Sequence, residues 1–154
     1  MAEHPSDDLP VDPDVPARPS RLNHPRRWDI ALAIAAGGAI GGTMRHAVSG
    51  LVPDGNGGFP WGTFLENVSG AFLLAVLVVY LVEVWPPSRY VRPFLATGVL
   101  GGYTTFSTFM NEARELLLDG SGVVAFAYVA ATLLFGLSAT LVGLRLGRRA
   151  TRVG

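Results

Sequence analysis

The residues with the most chemistry to offer lie together at Gly101-Gly102-Tyr103-Thr104-Thr105-Phe106-Ser107-Thr108-Phe109. Two adjacent glycines invite a helix break, and hydroxyl and aromatic side chains follow them directly. The segment sits inside an apolar stretch long enough to enter a membrane. Irregular backbone at that depth survives only where it is buried in protein or lines a water-filled path. The expected chemistry is therefore the handling of a solute or an ion. Phe106 and Phe109 are three apart and share a helix face. Their ring edges turned to a pore would favour an anion, and their faces a cation. A break also frees carbonyl oxygens, and carbonyls clustered at a half-helix end can hold Na⁺.

Two charged residues fall at membrane depth and are functional candidates by position, Arg45 and Glu66. Arg45 lies roughly 10 Å, and Glu66 roughly 8 Å, from the same end of the spans by helix rise. They are placed to form an ion pair, or else to snorkel separately to the interface. Asn67 follows Glu66 and offers an amide with two donors and one acceptor. Tyr128, Thr132 and Gly136 form a stripe at helical spacing, which reads equally as a polar track or a packing seam.

These residues need elements to hold them. The chain has 154 residues, 49% hydrophobic and 16% charged, a balance that suits an integral membrane protein. Its net charge of zero gives no reason to expect nucleic acid. It has no cysteine, which excludes disulfides and thiol-based metal or redox sites. Four stretches approach the roughly 20 apolar residues a bilayer needs: 28–52, 61–85, 89–118 with the glycine break inside it, and 122–146. Pro53-Asp54-Gly55-Asn56-Gly57-Gly58, Pro86-Pro87-Ser88 and Asp119-Gly120-Ser121-Gly122 read as the turns between them. Trp28, Trp61 and Trp85 fall at span ends, where indole favours the headgroup region. Gly37-Gly38, Gly41-Gly42, Gly62 and Gly70 offer surfaces for close helix packing. Residues 1–28, rich in Pro and Asp, are expected to be a disordered tail without a signal-peptide core. Residues 29–147 form the expected membrane domain, and 148–154 a short basic tail.

All twelve basic residues are Arg. Arg18, Arg21, Arg26, Arg27, Arg89, Arg92, Arg145, Arg148, Arg149 and Arg152 fall on one side of a four-span topology, against Arg114 near the other. The positive-inside rule then places both termini in the cytoplasm.

Three stretches carry a family likeness. Gly37-Gly38-Ala39-Ile40-Gly41-Gly42-Thr43-Met44-Arg45, Gly62-Thr63-Phe64-Leu65-Glu66-Asn67-Val68-Ser69-Gly70-Ala71-Phe72, and the segment 101–109 together resemble the Fluc-type fluoride channels, also called CrcB proteins. The likeness covers about residues 30–146 and is most specific in the third stretch. It implies an all-α membrane protein of four helices, pairing with an antiparallel partner, in the cell membrane. It implies passive fluoride export that protects the cytoplasm, with no enzyme activity, through two pores and around one structural Na⁺. By position in the motifs, Gly101 and Thr104 would give carbonyls to that Na⁺. Phe106 and Phe109 would present ring edges to fluoride, and Asn67 would be the pore amide. Ser107, Thr108, Tyr128 and Thr132 would form a polar track, with Arg45 serving the vestibule.

Two features depart from that pattern. Glu66 stands where the motif more often has an apolar residue, and a carboxylate there repels an anion unless Arg45 neutralises it or it faces away. The arginine bias of ten against one ill suits a protein that must insert both ways. It points to a heterodimer with an oppositely inserted homologue, weighed equally with the homodimer usual in the family. The alternative function is a small proton-coupled exporter with Glu66 as the carrier. An obligate membrane subunit without transport of its own is a third.

Overall fold

A computed structural model of the chain describes residues 28–52, 58–86 and 88–152. Residues 1–27 of the tail expected at 1–28, the turn residues 53–57 and Pro87 lie outside the described residues, and Trp28 belongs to the first helix. Helix α1 spans Trp28–Leu51 and α2 spans Trp61–Glu83. The third span is split. Its first half, α3, is π-helical over Pro93–Leu100 and closes with an α-helical turn at Gly101–Tyr103. Its second half, α4, runs Phe106–Leu118. Helix α5 covers Gly122–Arg152. Among the described residues, by length and apolarity alone, α2 and α5 are the two helices suited to crossing a membrane. Helix α1 carries glycines, Arg45 and His46 among its apolar residues, and neither half of the broken span is long enough by itself.

The helices associate chiefly as two pairs, α1 with α3 and α2 with α5, and α4 lies against α5. Glycine sets the first contact. A Cβ on Gly102 would lie 2.6 Å from Gly38 O, one on Gly98 would lie 2.8 Å from Ile34 O, and one on Gly41 would overlap Val99 O. The backbones of α1 and α3 touch at van der Waals range, which only small residues permit. A Cβ added to Gly38 or Gly42 would point away from α3 and meet nothing within 4 Å. In the second pair, Gly143 lies against Phe72 and Ala75, and Gly147 against Val79.

The break is not at the glycines. Gly101 is helical, with φ −66° and ψ −30°. The chain turns extended two residues beyond Gly102, at Thr104 (φ −82°, ψ 155°) and Thr105 (φ −145°, ψ 124°). The glycine pair belongs to the packed turn of α3, with Gly102 set against α1. The β-branched threonines are at ease in extended backbone. Thr105 then caps α4, its Oγ1 accepting from Thr108 N at 3.2 Å. At its far end α4 stops at Gly120, whose φ of 77° suits glycine, and Ser121 N returns to Leu116 O at 2.8 Å.

Two contacts gather one end of the bundle. Asp29 at the start of α1 pairs with Arg89 at 2.9 Å and accepts from Tyr90 Oη at 2.8 Å. Glu83 at the end of α2 faces Arg148 at 3.6 Å and accepts from Thr151 at 3.0 Å. The start of α1, the α2–α3 connection and the end of α5 therefore share one end, as the four-span topology requires. Helix α5 continues past the expected limit at Leu146 to Arg152, because no breaker interrupts it and Gly147 and Thr151 still have α2 to pack on.

Candidate functional site: a clamped helix break beside an open cavity

Asn67 holds the break. Its Nδ2 donates to Thr105 O at 3.0 Å, and Thr105 N donates to its Oδ1 at 2.9 Å. One side-chain amide thus supplies both partners that a neighbouring strand would give. Thr105 is buried, so without Asn67 its N–H and C=O would be left without that pairing in the protein interior. The clamp also changes what the carbonyls nearby can do. In a continuous α-helix Thr105 N would donate to Gly101 O, and Thr108 N to Thr104 O. Here those donors go to Asn67 and to Thr105 Oγ1. The carbonyls of Gly101 and Thr104 are both released from their helical donors.

The break opens on two sides. On one, a cavity of about 260 Å³ is lined by Asn67, Thr104, Phe106, Phe109 and Thr132, among others. On the other, a cavity of about 290 Å³ is lined by Asn67, Gly70, Leu100, Gly101 and Thr104. The two phenyl rings sit 6.1 Å apart and tilted by 49°. Their environments differ sharply. Phe109 is 6% exposed and rests on Tyr128 at 5.1 Å, whereas Phe106 is 75% exposed on the outer face of the chain.

Of the expected site residues, Asn67, Phe106, Phe109 and Thr132 come together around one cavity, and Thr104 and Gly101 meet around the other. Ser107 and Thr108 are exposed at the start of α4, where both hydroxyls lie within hydrogen-bond range of Thr105 Oγ1 at 3.3 and 3.0 Å. Thr132 donates to Tyr128 O at 2.8 Å. Tyr128 is fully buried, and its hydroxyl donates to Glu112 Oε2 at 2.7 Å. Glu66 is 1% exposed and accepts from Ser49 Oγ on α1 at 2.7 Å, so it points to α1 and is not among the residues lining either cavity. Arg45 is half-buried and lies one helical turn before Ser49.

Sequence reasoning missed three groups. Glu112 takes Thr63 Oγ1 at 2.8 Å on one carboxylate oxygen and Tyr128 on the other, tying α2, α4 and α5 together. A carboxylate within the 89–118 stretch, three residues after Phe109, was itself the signal for it. Thr105 was read as one hydroxyl among several, although its backbone and Oγ1 organise the break. Ser69 and Tyr103 share a hydrogen bond of 2.9 Å between α2 and α3 that no spacing within one segment reveals.

Residues 32–144 match the family described as "CrcB-like protein, Camphor Resistance (CrcB)". The chain belongs to this family, and it is a membrane protein. It is 51% identical over 124 residues, 80% of its length, to "Fluoride-specific ion channel FluC 3" of Streptomyces avermitilis, and spans 61% of that relative's length. It is 43% identical over 122 residues to "Fluoride-specific ion channel FluC 2" of Nocardia farcinica, covering 79% of the chain and 87% of the relative. It is 40% identical over 118 residues to "Fluoride-specific ion channel FluC" of Rhizobium meliloti, covering 76% and 94%.

Proposed function

We propose that the protein is a fluoride-specific channel that lets the anion leave the cell passively through the cell membrane. The observation that carries this reading is the cavity beside the break, where Asn67, Phe106, Phe109 and Thr132 converge. Fluoride holds its water tightly, so a path for it has to replace that water with several weak donors. Ring edges and an amide proton do so without a fixed positive charge that would trap the ion, and conduction needs sites an ion can leave. Asn67 Nδ2 has a second proton beyond the one given to Thr105. The relatives' names point the same way.

The working unit is a dimer of two subunits inserted in opposite directions. Phe106 lies bare on the outside of one chain while its partner ring is buried, and both cavities at the break are open. A second subunit on that face would close them. The same arrangement suits the structural Na⁺. Its coordination calls for several carbonyl oxygens, and the released carbonyls of Gly101 and Thr104 are two such donors from each subunit. The ion would lock the two breaks together. The arginine-rich end belongs in the cytoplasm by the positive-inside rule. Its one-sidedness makes a heterodimer with an oppositely inserted homologue as good a candidate as the homodimer usual in the family.

Fluoride efflux from Na⁺-loaded liposomes, with and without an imposed pH gradient, tests the reading. A passive channel releases fluoride equally in both, and Phe106→Ile slows it. Efflux that needs the gradient and disappears in Glu66→Gln would establish a proton-coupled exporter instead. If this chain alone is silent and a homologue restores efflux, the heterodimer is established.

A further inference from the structure

The α2–α3 connection lines a third cavity, about 530 Å³, that shares no lining residue with the two at the break. Leu81, Trp85 and Val91 give it apolar walls, and Ser88, Arg89 and Arg92 its polar mouth. The charges there do not cancel. Arg89 is matched by Asp29 at 2.9 Å, and Tyr90 donates to the same carboxylate at 2.8 Å. Arg92 is exposed at the start of the third span, and among the described residues the ion pairs are Arg89–Asp29 and Arg148–Glu83. Among the described residues the mouth therefore keeps one unbalanced positive charge. Ser88 Oγ accepts weakly from Tyr90 N and Val91 N, both at 3.4 Å, which leaves its hydroxyl proton to give. Trp85 marks the level of the headgroups.

We propose that this cavity binds the headgroup of an anionic phospholipid. The phosphate would lie between Arg92 and the Ser88 hydroxyl, with further donors from Arg89. The glycerol and the upper acyl chain would lie along Leu81, Trp85 and Val91. The amphipathic lining selects a lipid over free phosphate: an inorganic ion has no use for apolar walls, and at a bilayer surface the local concentration of lipid is far higher. The site rests on the chain being a membrane protein and not on what the chain transports.

Trp85 is a reporter inside the site. The full chain with Trp28→Phe and Trp61→Phe, reconstituted in phosphatidylcholine, leaves Trp85 as the one indole. Brominated phosphatidylglycerol should quench it more effectively than brominated phosphatidylcholine at equal mole fraction, with a selectivity of about fivefold, the weight of one basic side chain at an anionic surface. Arg92→Gln should bring that selectivity near one without shifting the emission maximum. A companion protein keeping only Trp61, at the opposite end of α2, should show no preference. Millimolar inorganic phosphate should leave the Trp85 preference intact. Equal quenching by the two lipids, an unchanged preference in Arg92→Gln and in Arg89→Gln/Arg92→Gln, or loss of the preference to free phosphate would each overturn the assignment.

Discussion

Removing the amide of Asn67 attacks the side chain that clamps both backbone groups of Thr105 at the helix break. Asn67→Ala deletes two hydrogen bonds, of 3.0 and 2.9 Å. Each contributes about 1 kcal/mol net, and leaving a buried backbone group unmatched costs about 1–3 kcal/mol. Thr105 is 7% exposed, so both of its backbone groups bear that penalty. The adjoining cavity of about 260 Å³ is large enough to admit water, which offsets part of the loss. The expected destabilisation is therefore about 2–4 kcal/mol, or roughly 5–15 °C in Tm for a chain of this size. Asn67→Asp makes the same point with almost no change in volume. It keeps an acceptor for Thr105 N but sets a second oxygen against Thr105 O. Thermal unfolding in detergent, followed by tryptophan emission, reads the stability, and hydrogen exchange at the Thr105 amide reads the break itself. Fluoride efflux should fall in both variants. A Tm within about 2 °C of the parent, with Thr105 protected as before, would refute the clamp.

The two sides of α1 should respond differently to one added methyl. Gly41→Ala drives a Cβ into Val99 O and should cost about 1–3 kcal/mol or more, while Gly42→Ala, with nothing within 4 Å, should change thermal stability little. The two phenylalanines should separate stability from transport. Phe109→Ala should destabilise by about 3–5 kcal/mol because the ring is buried on Tyr128, whereas Phe106→Ile should leave unfolding of the single chain almost unchanged and slow fluoride efflux. Glu66→Gln should retain fluoride efflux without a pH gradient, since its carboxylate faces Ser49 and not the cavity.

Apolar run length and charge mark the helical stretches and the crowding of arginine at one end, which are properties of composition along the chain. The sequence also marks the third span as interrupted. It does not place the break, because glycine serves two purposes in a membrane helix. Gly101-Gly102 reads as a breaker, yet Gly102 lies against Gly38 and its turn stays helical. The break moves to Thr104-Thr105 because Asn67, 38 residues earlier, is there to pair with Thr105. No local pattern holds that information. Phe106 and Phe109 are equivalent by spacing, and their unequal exposure follows from where α5 lies. Glu66 and Arg45 were placed at similar depths by helix rise, but depth does not give azimuth, and the structure turns Glu66 to Ser49. The site residues whose partners are distant in the chain were the ones the sequence left undetermined.

Selective passive conduction of fluoride is tested most directly by an electrical measurement. The protein, reconstituted in a planar bilayer with Na⁺ on both sides and with its homologue if it requires one, is held under a tenfold fluoride gradient and equal chloride. A fluoride channel gives a current that reverses about 59 mV from zero, the equilibrium potential of a monovalent ion at that gradient, and that is unchanged when chloride is varied. A current reversing near zero, one that follows chloride, or flux that carries no current would contradict it.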